Sequence, residues 1–87
     1  MFYTVYILYS KKDKRLYVGC TNNMTDRLRR HSNGHVLATK YRRPLVVIHK
    51  EFLPKEEASS RERFLKSLWG VREKKKIKEK FLGNFDG

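Results

Sequence analysis

Five residues of this chain have side chains and spacings that suit chemistry: Tyr6, Tyr17, Arg27, His31 and Glu62. The helical stripe i, i+3, i+4, i+7 drawn from Met24 selects Met24, Arg27, Leu28 and His31. Met24 and Leu28 are its apolar anchors, so Arg27 and His31 share the sheet-facing side. Arg29 and Arg30 point elsewhere, as solvated charge. Further on, Ala58, Leu65 and Trp69 mark the inner face of another helix, and Glu62 falls between them. Tyr6 and Tyr17 lie in strand-like runs, and each hydroxyl needs a partner when buried.

Phosphodiester hydrolysis needs an activated water, neutralisation of developing charge and help for the leaving oxygen. An Arg fork matches phosphate oxygens. One carboxylate can anchor a hydrated Mg²⁺, which keeps several waters and takes few protein ligands. A Tyr hydroxyl acts as a base only if its pKa falls far below about 10. A nearby metal and Arg would favour that fall. His31 can take the Tyr proton, since an unperturbed His titrates near about 6.5.

Each residue taken singly also has a plain structural reading. An inward Arg snorkels over apolar surface. An inward Glu pairs at a core edge, a strand Tyr sits in the core with its hydroxyl at the rim, and a His near a helix end packs or caps. Taken together, one Arg, one His, one Glu and two Tyr facing one sheet form a polar cluster that a structural core does not need.

The elements that must position these residues are legible from composition and punctuation. Phe2 to Tyr9 is aromatic, β-branched and almost wholly apolar, as in a strand covered on both faces. Lys11 to Lys14 reads as a turn, and Leu16 to Cys20 as the second strand of a hairpin. Thr21-Asn22-Asn23 offers N-cap oxygens for a helix from about Asn23 to Ser32, stopped at Asn33-Gly34. His35 to Arg43 is a basic loop without clear period. Leu45 to Phe52 is a third strand. Pro54 suits the first turn of a second helix that runs to about Trp69. Gly70 breaks it, and Val71 to Leu82 forms a third, with Ile77 and Phe81 as its buried stripe. The order β-β-α-β-α-α predicts an α+β fold: a small three-stranded antiparallel or mixed sheet flanked by helices. Residues 1–87 form a single domain, with its core at about 2–82 and a frayed tail at 83–87.

Lys and Arg number 21 against 9 Asp and Glu, a net charge of +12, so an anionic partner is expected, nucleic acid first. Apolar residues at 39% and aromatics at 13% are enough for a core and argue against disorder. The lone Cys20 excludes an internal disulfide and a zinc site built on Cys pairs, and suits a packing role. The apolar start is too short to span a membrane and lacks the features of a signal peptide. A cytoplasmic protein is expected, without membrane association.

At these residues the sequence resembles the GIY-YIG nuclease family. The first motif falls on Thr4-Val5-Tyr6 and the second on Tyr17-Val18-Gly19, joined by one hairpin. Thr21 to Leu28 resembles the first helix of the family, whose Arg is catalytic. His31 matches a position that many members fill with His. Glu57-Ala58 followed by Glu62 resembles the metal-binding Glu on the later helix. The resemblance runs from Phe2 to about Lys76, and the size is similar to small stand-alone bacterial members. It implies one-metal cleavage of DNA, with Mg²⁺ or Mn²⁺ held by Glu62. Tyr6 would be the general base or orient water, and Tyr17 would help position water or phosphate. Arg27 would stabilise the pentacovalent phosphate, and His31 would assist Tyr6. Gly19 would let the backbone pass close to the site. Thr4 stands where the name-giving Gly does, and for the Asn that many members carry beyond the Glu only Asn84 is available.

Two further groups suit nucleic acid. Lys40, Arg42 and Arg43 flank Tyr41, a pattern fit for base stacking and phosphate contact, or else a solvated loop with Tyr41 as a lid on the core. Lys74 and Lys75 open a basic run on the last helix that can track phosphates. His35 and His49 have no acidic partner at metal spacing and read as structural. The leading expectation is a metal-dependent DNA endonuclease, a monomer or weak dimer, acting in repair or on structured DNA. The alternatives are a nucleic-acid-binding module with weak or no catalysis, and a basic accessory subunit of a larger ribonucleoprotein or repair complex. RNA as the substrate stays open.

Overall fold

A computed structural model describes residues 1–83. Residues 84–87, and with them Asn84 and most of the expected tail, lie outside the described residues. The chain runs β1 (Phe2–Ser10), β2 (Leu16–Thr21), α1 (Met24–Ser32), β3 (Leu45–Pro54), α2 (Lys55–Lys66) and α3 (Val71–Gly83). Short 3₁₀ turns at Lys40–Arg42 and Leu68–Gly70 precede β3 and α3. The fold is the expected α+β arrangement, and its sheet is wholly antiparallel in the order β2-β1-β3.

β1 is central because it is the most apolar strand: Val5 to Ser10 are all buried. Its two faces pack differently. Val5 and Ile7 point to the side of α2 and α3, where they meet Val18, Ala58 and Leu65. Tyr3, Leu16, Cys20, Ile48, Leu53 and Ile77 close around that cluster. Fully buried, each of Val5, Ile7 and Leu65 stabilises the fold by on the order of 2 kcal/mol. Tyr6 leaves β1 on the opposite face, toward α1 and the loop that follows it.

α1 starts at Asn23, whose side chain accepts from the Asp26 N–H at 3.0 Å. It ends where Gly34 takes φ +77°, in the left-handed region that suits glycine, and the His35 N–H closes on the Arg30 carbonyl. Met24 and Leu28 are only half-buried. The buried residue of α1 is His31, so a polar ring does the packing expected of apolar anchors.

Two expectations for the second helix need correction. α2 stops at Lys66 rather than near Trp69, because Ser67 turns extended and its hydroxyl and N–H both bond the Phe64 carbonyl. Trp69 therefore leaves the inner face and is 84% exposed. Gly70 does more than break a helix. A Cβ there would collide with the Phe64 carbonyl and the Leu65 backbone, so only glycine lets the turn fold back onto the end of α2. Pro54 stands at the N-cap position of α2, just before its first turn, and its side chain makes no capping bond. Ile77 and Phe81 form the inner stripe of α3, against the core and beside the Tyr9 ring, but they are half-buried and not the buried stripe expected. Among the described residues no helix is long and apolar enough to cross a membrane.

Candidate active site

Tyr6 lies at the centre of the polar cluster. It is wholly buried, and its hydroxyl is 3.0 Å from Nε2 of His31. The other ring nitrogen of His31, Nδ1, is 2.7 Å from the Thr39 hydroxyl. Tyr17 completes an aromatic triangle: its ring centroid is 5.2 Å from that of His31 and 6.4 Å from that of Tyr6. Tyr6 pairs with Gly19 across the hairpin, and the Tyr6 ring lies flat over it. A Cβ at residue 19 would run into the phenol Cζ and Oη. The glycine thus makes room for the Tyr6 ring, a more specific role than a free backbone near the site.

Arg27, one helical turn before His31 on the same face of α1, acts on Tyr6 and favours its ionised form. Arg27 and Glu62 act electrostatically on both Tyr6 and Cys20. Those two side chains leave the sheet on opposite faces, since Cys20 neighbours Gly19 and packs on the apolar core. Arg27 from α1 and Glu62 from α2 therefore bear on side chains of both faces of the sheet. The Glu62 carboxylate is 3.0 Å from the Lys66 ammonium, one turn along α2.

The titration properties follow from this burial. Burial pushes the Tyr6 pKa up to about 12; Tyr17 and Glu62 add to the rise, and Arg27 opposes it. The lowered Tyr6 pKa that a lone base requires is thus not a property of the protein by itself: desolvation outweighs the guanidinium. Burial, with Arg27 as the second cause, lowers the His31 pKa. Tyr6 and His31 are both neutral at pH 7. Burial also raises the Cys20 thiol, aided by Glu62, which fits a packing residue and not a nucleophile.

Among the described residues no three His, Cys, Asp or Glu side chains come together as a metal cage. The candidate donor set is the Glu62 carboxylate alone, half-buried on α2. That set does not suit zinc, which takes three or four nitrogen or sulfur ligands. It fits a hydrated Mg²⁺ or Mn²⁺ shared with phosphate oxygens.

Comparison with known proteins places the chain in a family. A family profile described as GIY-YIG catalytic domain matches residues 2–78. The chain belongs to the GIY-YIG family. It is similar to a UPF0213 protein of Clostridium perfringens, with 44% identity over 74% of this chain and 70% of that one. A UPF0213 protein of Staphylococcus haemolyticus is 38% identical over 79% of this chain and 87% of its own length. The UPF0213 protein of Bacillus halodurans, solved by solution NMR, superposes with a TM-score of 0.56 at 33% identity. That match covers 88% of this chain and 82% of that one.

In GIY-YIG terms the two motif tyrosines are the two rings that meet His31, and the second motif's glycine is the one under Tyr6. The nucleic-acid candidates divide into two kinds. Lys40 and Tyr41 are exposed, the ammonium 5.4 Å from the ring centroid, so Tyr41 is no lid on the core. Arg42 and Arg43 knit the loop instead: Arg42 binds Asp13 at 2.9 Å and the Leu16 carbonyl, and Arg43 binds the Ser32 and Lys40 carbonyls. On α3, Lys74 is half-buried and Lys75 exposed. Two site residues escaped the sequence reading. Lys66 was legible in principle, four residues after Glu62. Thr39 was not, because it sits in the loop that has no period.

Proposed function

We propose that the chain is an endonuclease that hydrolyses phosphodiester bonds of DNA with Mg²⁺ or Mn²⁺, in repair or in processing structured DNA. The observation that carries this reading is the buried Tyr6–His31 contact, with Arg27 and Glu62 both bearing on the same hydroxyl. A Tyr with a pKa of about 12 is a phenolate in roughly one molecule in 10⁵ at pH 7. Tyr6 therefore gives up its proton only as His31 takes it. His31 is neutral and already within 3.0 Å, so the transfer needs no rearrangement. Arg27, a fork on the rim of the pair, neutralises charge on the phosphate as it develops. Tyr17 holds the imidazole edge-on and borders the space for water or phosphate. Glu62 would hold the cation, with Lys66 released from its ion pair to face the phosphate. The ion, when bound, would neutralise phosphate charge and offset the upward pull of Glu62 on the Tyr6 pKa.

Lys40, Tyr41, Lys74 and Lys75 suit the flanking nucleic acid, and the net charge of +12 favours its approach. A nucleic-acid-binding module without turnover is the second reading, favoured by the high Tyr6 pKa and the Glu62–Lys66 pair. Labelled duplex, single-stranded and branched DNA and RNA, incubated with Mg²⁺, Mn²⁺ or EDTA, separate the two. Wild type cuts at least one DNA with metal and none with EDTA, and Glu62→Ala stays folded but cuts none. Binding without metal-dependent cutting would select the module. Equal cutting by Glu62→Ala would remove the metal role of Glu62.

A further inference from the structure

Thr39 is fully buried between α1 and β3, with its hydroxyl 2.7 Å from Nδ1 of His31 and 3.4 Å from the Val36 carbonyl. A hydroxyl has one proton, so the direction of this chain of bonds is decidable. Thr39 gives that proton to the Val36 carbonyl, so toward Nδ1 its oxygen accepts. Nδ1 therefore carries the ring hydrogen, and the bare Nε2 accepts from the Tyr6 hydroxyl at 3.0 Å. Nδ1 donates to Thr39, and Thr39 donates to Val36. The opposite tautomer would turn an Nε2–H on the Tyr6 oxygen and strand the buried Tyr6 proton.

We propose that Thr39 is a positioning residue: by accepting from Nδ1 it fixes the tautomer of His31 that leaves Nε2 free to take the Tyr6 proton. The inference rests on the nuclease reading for its purpose, but not for its geometry. In the transfer the Tyr6 O–H bond breaks, its electron pair stays on oxygen, and an Nε2–H bond forms. The resulting imidazolium keeps its Nδ1–H bonded to Thr39, so the positive charge is solvated at a buried site. The loop is built to keep the hydroxyl in place. The Thr39 N–H bonds the Val36 carbonyl, and the Arg42 N–H bonds the Thr39 carbonyl. The Arg42 side chain then ties this turn to Asp13 and Leu16, and Ser10 donates to the Arg42 carbonyl. Arg42 thus acts on the site at one remove, through Thr39.

The test is the ring ¹⁵N spectrum of His31, read by long-range proton–nitrogen correlation in wild type, Thr39→Ser and Thr39→Val. Wild type and Thr39→Ser show protonated Nδ1 and bare Nε2, whereas Thr39→Val moves toward protonated Nε2. Cleavage follows the same split: Thr39→Ser stays near wild type, and Thr39→Val loses about tenfold or more in kcat with KM little changed. A protonated Nε2 in wild type, or an unchanged tautomer in Thr39→Val, would overturn the assignment. If Thr39→Val does not fold, wild type and Thr39→Ser still decide the tautomer. The spectrum needs no turnover. Expected tautomers in a protein that cuts nothing would uphold the role of Thr39 toward His31 and defeat the nuclease reading.

Discussion

Tyr6 is held by Gly19 beneath its ring and His31 at its hydroxyl, and feels the charge of Arg27. This arrangement is dry, and its dryness sets the pH behaviour. The His31 pKa is lowered from 6.5 by burial and then by Arg27. The unfolded chain therefore takes up this proton first as the pH falls. The His31 contribution to stability is complete above about 6.5 and is lost as the pH drops from there through the folded value. Tyr6 has the opposite sign: raised to about 12, its contribution is complete below about 10 and is lost between 10 and 12. Thermal unfolding followed across pH should show a falling limb below about 6.5 that His31→Gln flattens. An acid limb unchanged in that variant would contradict a buried neutral His31. At this scale the sequence carried Arg27 and His31, because i and i+4 share a helix face. Glu62 was legible because it interrupts an apolar one. The direction of the Tyr6 pKa was not, because it depends on how much water two packed layers exclude.

At the scale of elements, α1 and α2 must be held against opposite faces of one thin sheet for Arg27 and Glu62 both to act on Tyr6. α2 is anchored by Ala58 and Leu65 and by a polar clamp. Arg61 makes a two-pronged bond to Glu51 of β3, at 2.8 Å for each prong, and also reaches Glu73 of α3. His49 joins the same carboxylate at 2.7 Å. Arg61 immediately precedes Glu62, so the clamp fixes the rotation of the helix that presents the candidate metal ligand. Arg61→Met should cost about 2 kcal/mol, since it strips a half-buried carboxylate of its fork, and lower Tm by roughly 10 °C. Glu51→Gln combined with it should cost less than the two losses added. Full additivity in thermal unfolding would mean that the pair is not coupled. The strands and the inner residues of α2 were legible as apolar runs and periods. Trp69 was not, because Ser67 turns the chain out of the helix within one residue. Thr39 was not, because eight residues of aperiodic loop bring it to His31.

At the scale of the whole molecule, charge and chemistry separate. The net charge of +12 comes from Lys and Arg on the three helices, β3 and the loops, so the proposed binding to nucleic acid belongs to most of the surface and weakens with salt. The proposed cleavage is assigned to one hydroxyl. The apolar core lies mainly on the side of α2 and α3, while the α1 side is closed by His31, Thr39 and the loop, so the polar cluster also serves as packing. Tyr6→Phe is the substitution that parts these roles, since it keeps the ring over Gly19 and removes only the oxygen. The decisive measurement is single-turnover cleavage of one labelled DNA by wild type and Tyr6→Phe, with Mg²⁺ at fixed salt, alongside their binding to the same DNA. Equal binding with cleavage by wild type and a loss of at least about a hundredfold in Tyr6→Phe is the predicted result. Cleavage at equal rates by the two proteins would contradict the account.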